Sequence, residues 1–421
     1  MSRGRDRGPV MPATAARPRP IRALLVTSAA AVAGLVVGGA VMAAVQDASS
    51  HPHATGAAPA TTTAAPTSSP VPPPPVPGPA ILLAWTPDGL DPRLSAAAAT
   101  DSDIELLSTV RGGVVDLVAS RDGDGAPVDA LRPGWAIPLD AVAVDPGTHA
   151  HFVPVGDQAT VAALGPGQAL LGSTSAELRR LGPGSVIELA GAGPVVVAGV
   201  VSDTAVGGAE LAVDRPTGEA LGLGTDRYLL ARYRGDRSAL EGRLRASLDA
   251  DAAVRFRGPG ETPFLRQGDA VLPQAHIKSR FGEFAYRPDA GDQFVQDDAW
   301  QAANLVTVDL PLIGTARCHR AIAAALAGAL GEVVNANLAS LVDPDGFAGC
   351  WNARTTRSGT SISRHAWGVA VDLNVGDNPT GMTSVQDPRL LAIFARWGFT
   401  DGSTWLVPDA GHFEYVAPPR P

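Results

Sequence analysis

Two short stretches hold side chains that could do chemistry together: "SRHAWGVAVD" at 363–372 and "DAGHFE" at 409–414. A catalytic zinc site takes three protein ligands from His, Asp or Glu, keeps one position open for water, and needs a nearby base to accept that water's proton. His365, Asp372 and His412 supply three such ligands. Asp409, three residues before His412, is the candidate base, and Glu414, two residues after it, can orient His412 from behind. The chemistry is metal-assisted hydrolysis. A histidine and an aspartate seven residues apart also occur as ordinary polar residues, so spacing leaves both readings open.

The elements that must position these groups are legible nearby. Apolar side chains alternate in "WGVAVDLNV" (367–375), which predicts a strand carrying Asp372. Alternation in "HFEYVA" (412–417) predicts a second, with His412, Glu414 and Val416 on one face. Gly368 allows a tight turn or a close backbone approach after His365. Asp387 as cap, Pro388 at the first position and Gly398 as stop predict a helix within 387–399. Residues 317–342 show helical spacing and predict one helix followed by a shorter one.

"SRHAWGVAVD" followed by "WLVPDAGHFEYV" resembles the SxHxxGxAxD and (D/E)xxH signature of zinc D-alanyl-D-alanine carboxypeptidases of the VanY type and their L-alanyl-D-glutamate endopeptidase relatives, over about 270–421. The resemblance implies that His365, Asp372 and His412 bind zinc and that Asp409 is the general base, with Glu414 as the alternative base. It implies that Ser363 binds substrate or frames the site. Arg354, in "CWNARTTRSG", meets the substrate and the developing oxyanion, with Arg357 as the substitute for that role. Many carboxypeptidases of the group carry Glu where this chain has Asp409, whereas "DxxHFE" is similar to the endopeptidase branch. The expected activity is hydrolysis of peptidoglycan stem peptides, with removal of a terminal D-alanine as the first reading. An L-alanyl-D-glutamate-type endopeptidase and a catalytically silent peptidoglycan- or protein-binding module are the alternatives.

The rest of the chain supplies the setting. Six arginines precede an uncharged stretch at 23–45 that is long enough to cross a bilayer of roughly 30 Å. Positive charge before it and none just after predict a cytoplasmic tail (1–22), a single transmembrane helix and an extracytoplasmic remainder at the cell membrane. Secretion after signal cleavage is the alternative. Residues 46–80, rich in Pro, Ala and Thr, read as a semi-rigid spacer in which His51 and His53 are solvated. In an exported chain, the only two cysteines, Cys318 and Cys350, predict one disulfide. Net charge is −9 with no dense basic cluster beyond the N-terminus, which argues against nucleic acid as a partner.

Residues 81–256 alternate short Val- and Leu-rich runs with Gly, Pro and Asp punctuation, the pattern of a largely antiparallel sheet, with helices at 174–181 and 238–248, the latter capped by Ser238. The stretch "QALLGSTSAELRRLGPGSVIELAGAGPVVVAGVVSD" resembles extracytoplasmic domains of FtsX-like ABC permeases, which implies a binding or spacer role and a possible protein partner. His149 and His151 read as exposed. The fold class is therefore α+β: a transmembrane helix and Pro-rich linker, a β-rich α+β domain (81–256), then a small α+β zinc peptidase domain (257–421) with a central antiparallel sheet.

Overall fold

Alternating apolar residues in "IELLSTVRGGVVDLVASR" form one strand of 18 residues, Ile104–Arg121, about which the first module is built. A computed structural model describes residues 80–356 and 361–417. The basic tail, the 23–45 span, nearly all of the spacer and Arg357 lie outside the described residues. Among the described residues no helix is long and apolar enough to cross a membrane. The protein is a mixed α/β structure.

The long strand pairs antiparallel with Ile137–Val144, which runs parallel to Leu211–Asp214. From there the sheet passes through Gln168–Gly172, Gly193–Val201 and Val186–Leu189, and the last of these returns to Ile104–Arg121. Six strands thus close into a barrel, which removes free edges. Leu117, Leu139, Leu171, Ile187, Val197 and Leu211 belong to its packed core. Each such side chain contributes about 1.5–3 kcal/mol on leaving water. Asp226–Tyr233, Ala80–Trp85 and Arg255–Arg257 extend the sheet beyond the ring.

Helices cover the extension. Asp91 caps Pro92–Thr100, and Asp236, rather than Ser238, caps Arg237–Arg245 by accepting from Ala239 N. Its carboxylate sits at the turn where the first free backbone N–H groups point. His149 is also not exposed. It ends a short helical turn, Pro146–His149, and is buried with Nδ1 3.4 Å from Ser108 Oγ.

In the second module, Arg320–Asn335 is the main helix, with Ile322, Ala325, Leu326, Ala329, Leu330 and Val333 on its buried stripe. Its start differs from the expectation of helix from 317. Residues Gly314–His319 pair instead with Leu305–Leu310, and His319 accepts from Ala321 N as the cap. Gly328 admits the Trp397 ring, since a Cβ there would lie 2.3 Å from it. Only a 3-10 turn, Ala339–Leu341, follows. Cys318 and Cys350 are disulfide-bonded.

One helix, Gln274–Phe281, docks the second module onto the barrel. It carries Lys278, the single lysine of the chain. Lys278 Nζ lies 2.9 Å from Glu210 Oε1 and 3.0 Å from Glu283 Oε1, and Arg179 pairs with the same two carboxylates. Two cations and two anions thus satisfy one another in a buried site between the modules. Gln274 adds donations to Glu210 Oε1 at 2.7 Å and Pro138 O at 2.9 Å.

Candidate metal centre and its cavity

The register of the small sheet brings two of the three predicted ligands side by side. Strand Ala370–Asp372 pairs antiparallel with Asp409–Tyr415, so that Asp372 stands directly opposite His412. His365 comes from the 3-10 turn Arg364–Trp367 just before the first strand. Ser363 caps that turn, its Oγ accepting from His365 N at 3.3 Å, and Gly368 ends it in the left-handed conformation. A Cβ on Gly368 would lie 2.8 Å from His319 N, so the turn needs both the positive φ and the missing side chain.

The three ligand atoms converge. His412 Nδ1 is 2.9 Å and His365 Nε2 3.1 Å from Asp372 Oδ1, and the two nitrogens are 3.2 Å apart. Among the described residues this is the one cluster of three or more His, Cys, Asp or Glu side chains that could hold a metal. The outer nitrogens fix the ring states. His365 Nδ1 is 2.9 Å from Cys350 O, which can only accept, so Nδ1 carries the proton and Nε2 offers a lone pair. Carboxylate Glu414 likewise accepts from His412 Nε2 at 3.4 Å, leaving Nδ1 as the inward lone pair.

Two nitrogen lone pairs and a carboxylate oxygen that face one another repel unless a cation sits among them. The donor set fits zinc, which favours imidazole nitrogen and carboxylate oxygen. Without metal a proton does the same work. Burial opposes charge on His412, but hydrogen bonds to Asp372 and Glu414 prevail and raise it to about 10. Burial would also raise Asp372, yet hydrogen bonds from His365 and His412 hold it well below the usual carboxylate range.

Asp409 begins the His412 strand, and Thr380 Oγ1 donates to its Oδ1 at 2.9 Å. Residues three apart on a regular strand point to opposite faces. Here the pairing with Phe399–Gly402 is irregular: Asp401 opposes Phe413, but Gly402 opposes Asp409. That bulge lets Asp409 and His412 line one cavity. The cavity holds about 990 Å³ and is also lined by Ser363, Asp372, Glu414 and Arg354.

A family model described as D-alanyl-D-alanine carboxypeptidase matches residues 356–415. The match spans both halves of the site. It includes Ser363, His365, Asp372, Asp409, His412 and Glu414, while Arg354 lies just before it. No curated protein matches the chain. Among solved structures, the periplasmic region of MacB from Actinobacillus actinomycetemcomitans is similar at 12% identity and a TM-score of 0.29, over 43% of this chain and 89% of that one. The extracellular domain of the noncanonic ABC-type transporter YknZ from Gram-positive bacteria is similar at 11% identity and a TM-score of 0.27, over 42% and 99%.

Further residues line the cavity. Trp405 tilts over the His412 ring at 5.4 Å between centroids. Trp85, Asp140, Arg227 and Tyr228 come from the barrel module, which therefore walls the same cavity as Asp372 and His412. His276 is not among the lining residues; its Nε2 lies 3.1 Å from Asp203 Oδ2.

Proposed function

We propose that this chain is a zinc-dependent peptidase acting on peptidoglycan stem peptides, with removal of a terminal D-alanine as its reaction. The observation that carries this reading is the His365–Asp372–His412 donor set, its outer N–H groups tied to Cys350 O and Glu414, opening into the cavity that holds Asp409. When bound, zinc supplies an acidified water and polarises the peptide carbonyl. Asp409, held by Thr380, accepts the proton of the attacking water at its carboxylate and delivers it to the leaving amine. Arg354 lines the same cavity and offers a planar, permanently charged donor to the oxygen on which negative charge develops. Ser363 acts by framing the His365 turn.

The setting fits a fixed substrate. The apolar 23–45 stretch would anchor the chain in the cell membrane, and the Pro-rich spacer would hold the catalytic module outside, where stem peptides lie.

The test is incubation of the chain with a muramyl pentapeptide, with and without zinc, and identification of products by mass. Loss of one alanine that requires zinc and is abolished in Asp409→Asn, with metal content unchanged, supports the reading. Cleavage inside the stem would assign the endopeptidase reaction, which the aspartate at 409 favours. A chain that takes up zinc and turns over neither bond would be the silent binding module.

A further inference from the structure

The cavity contains four guanidinium groups, from Arg227, Arg266, Arg354 and Arg364, and among the described residues three of them form no ion pair. Arg364 is partnered by Glu414 at 3.9 Å, and Arg354 Nη1 donates to the backbone oxygen of Thr355 at 3.3 Å. Arg227 sits on the barrel strand Asp226–Tyr233, and Arg266 on the connection between the modules. Among the described residues neither forms an ion pair. Arg227 Nε donates to Gln267 Oε1 and Arg266 Nη2 to Ala270 O, both neutral acceptors. Asp140, on the same wall, hydrogen-bonds to neither but is the one carboxylate whose charge acts on both, and Asp269 is committed to Arg255 at 2.7 Å and Arg257 at 2.6 Å.

The placement of Arg227 is enforced. Gln267 Nε2 donates to Thr86 O at 2.9 Å and Pro87 O at 3.3 Å, so its Oε1 is a fixed acceptor that clamps the Nε side of Arg227 against the cavity. Among the described residues no hydrogen bond is made by Nη1 or Nη2 of Arg227. A guanidinium removed from water without a bonded counter-charge is costly, and burial holds both arginines below their ordinary pKa against the opposing charge of Asp140. Elsewhere in the barrel module, Arg111, Arg179, Arg237 and Arg243 each meet a carboxylate.

We propose that Arg227 and Arg266 form an anion subsite that binds a carboxylate of the peptide substrate remote from the bond that is cut. The barrel module is then a specificity wall of the active site. A planar fork with free Nη groups suits bidentate recognition of a carboxylate, and a cavity of about 990 Å³ has room for a peptide of several residues. The identity of the ligand rests on the peptidase reading; the charge of the subsite does not.

The test uses the full chain and two synthetic stem pentapeptides with a free terminal carboxylate, identical except that the side-branch carboxylates are free in one and carboxamides in the other. Binding is measured by calorimetry on metal-free protein and turnover on the zinc-loaded protein. The acid peptide should bind and turn over about 10- to 100-fold better, as expected for one or two charge-assisted hydrogen bonds. Arg227→Ala and Arg266→Ala should each reduce that preference by about tenfold or more with little effect on the carboxamide, and Arg227→Lys should retain part of it. Equal binding of the two peptides by the wild type, a preference that survives both alanine variants, or no binding of either peptide overturns the proposal. Arginine-dependent preference without turnover keeps the subsite and overturns the peptidase reading. Turnover without preference does the reverse.

Discussion

Glu414 Oε1 lies 3.4 Å from His412 Nε2 on the same strand face, and this contact turns the other nitrogen of His412 towards Asp372. Glu414 is itself buried, with Arg364 as its nearest cation. Burial opposes its charge, and His412 and Arg364 outweigh it, so the carboxyl stays below its usual range. Glu414→Ala should therefore weaken zinc binding by about 10- to 100-fold while leaving all three ligands in place. Competition against a chelator of known affinity measures this, and unchanged affinity would remove Glu414 from the site's support.

The disulfide adjoins the candidate metal centre. Cys350 is bonded to Cys318 through its side chain and receives His365 Nδ1 at 2.9 Å on its carbonyl oxygen. Opening this loop should cost about 3–4 kcal/mol in the chain-entropy treatment. The Cys318→Ala/Cys350→Ala protein should unfold at lower denaturant and hold zinc less tightly, as read by urea titration and metal content after dialysis. A protein that loses stability but keeps full zinc affinity would show that the His365 turn is held without the bridge.

Lys278 tests the docking of the modules. With Glu210 2.9 Å and Glu283 3.0 Å away and its side chain buried, Lys278→Met leaves two carboxylates facing one remaining cation, Arg179. The expected loss is about 3–5 kcal/mol. Thermal unfolding should show it as a lower midpoint, with the two modules separating before either melts.

Acid should act through His149. Burial holds this imidazole down at about 4, so between its ordinary value near 6.5 and about 4 the unfolded chain binds a proton that the folded chain does not. The stabilisation is thus complete above about pH 6.5 and is lost as pH falls towards 4, by about 3 kcal/mol. Urea unfolding at a series of pH values should show this slope in the wild type and a shallower one in His149→Gln. Parallel slopes would assign the acid sensitivity elsewhere.

The sequence carried the local parts of this protein because they depend on near neighbours. Asp387, Pro388 and Gly398 mark the ends of Pro388–Arg396, and the structure shows the cap accepting from Arg389 N at 2.8 Å and a φ of +89° at the glycine. The two cysteines pair as expected, and the His365, Asp372 and His412 side chains meet. Local pattern failed where pairing at a distance won. Residues 317–319 read as helix but end the hairpin strand Gly314–His319, because Leu305–Leu310 offers backbone partners. His149 read as exposed but is buried.

What the sequence alone determined is the inventory: three candidate ligand side chains and a candidate base, the cysteine pair, and strand and helix signals good to a few residues. Only the tertiary structure decided that the bulge at Asp401 and Gly402 brings Asp409 to the face of the cavity, and that the barrel lends Arg227 to the site. The reason is physical. A side chain's type and its local backbone preference are written in adjacent residues, whereas Arg227 and His412 share a cavity because long-range contacts, the buried charge cluster around Lys278 among them, fix one module against the other.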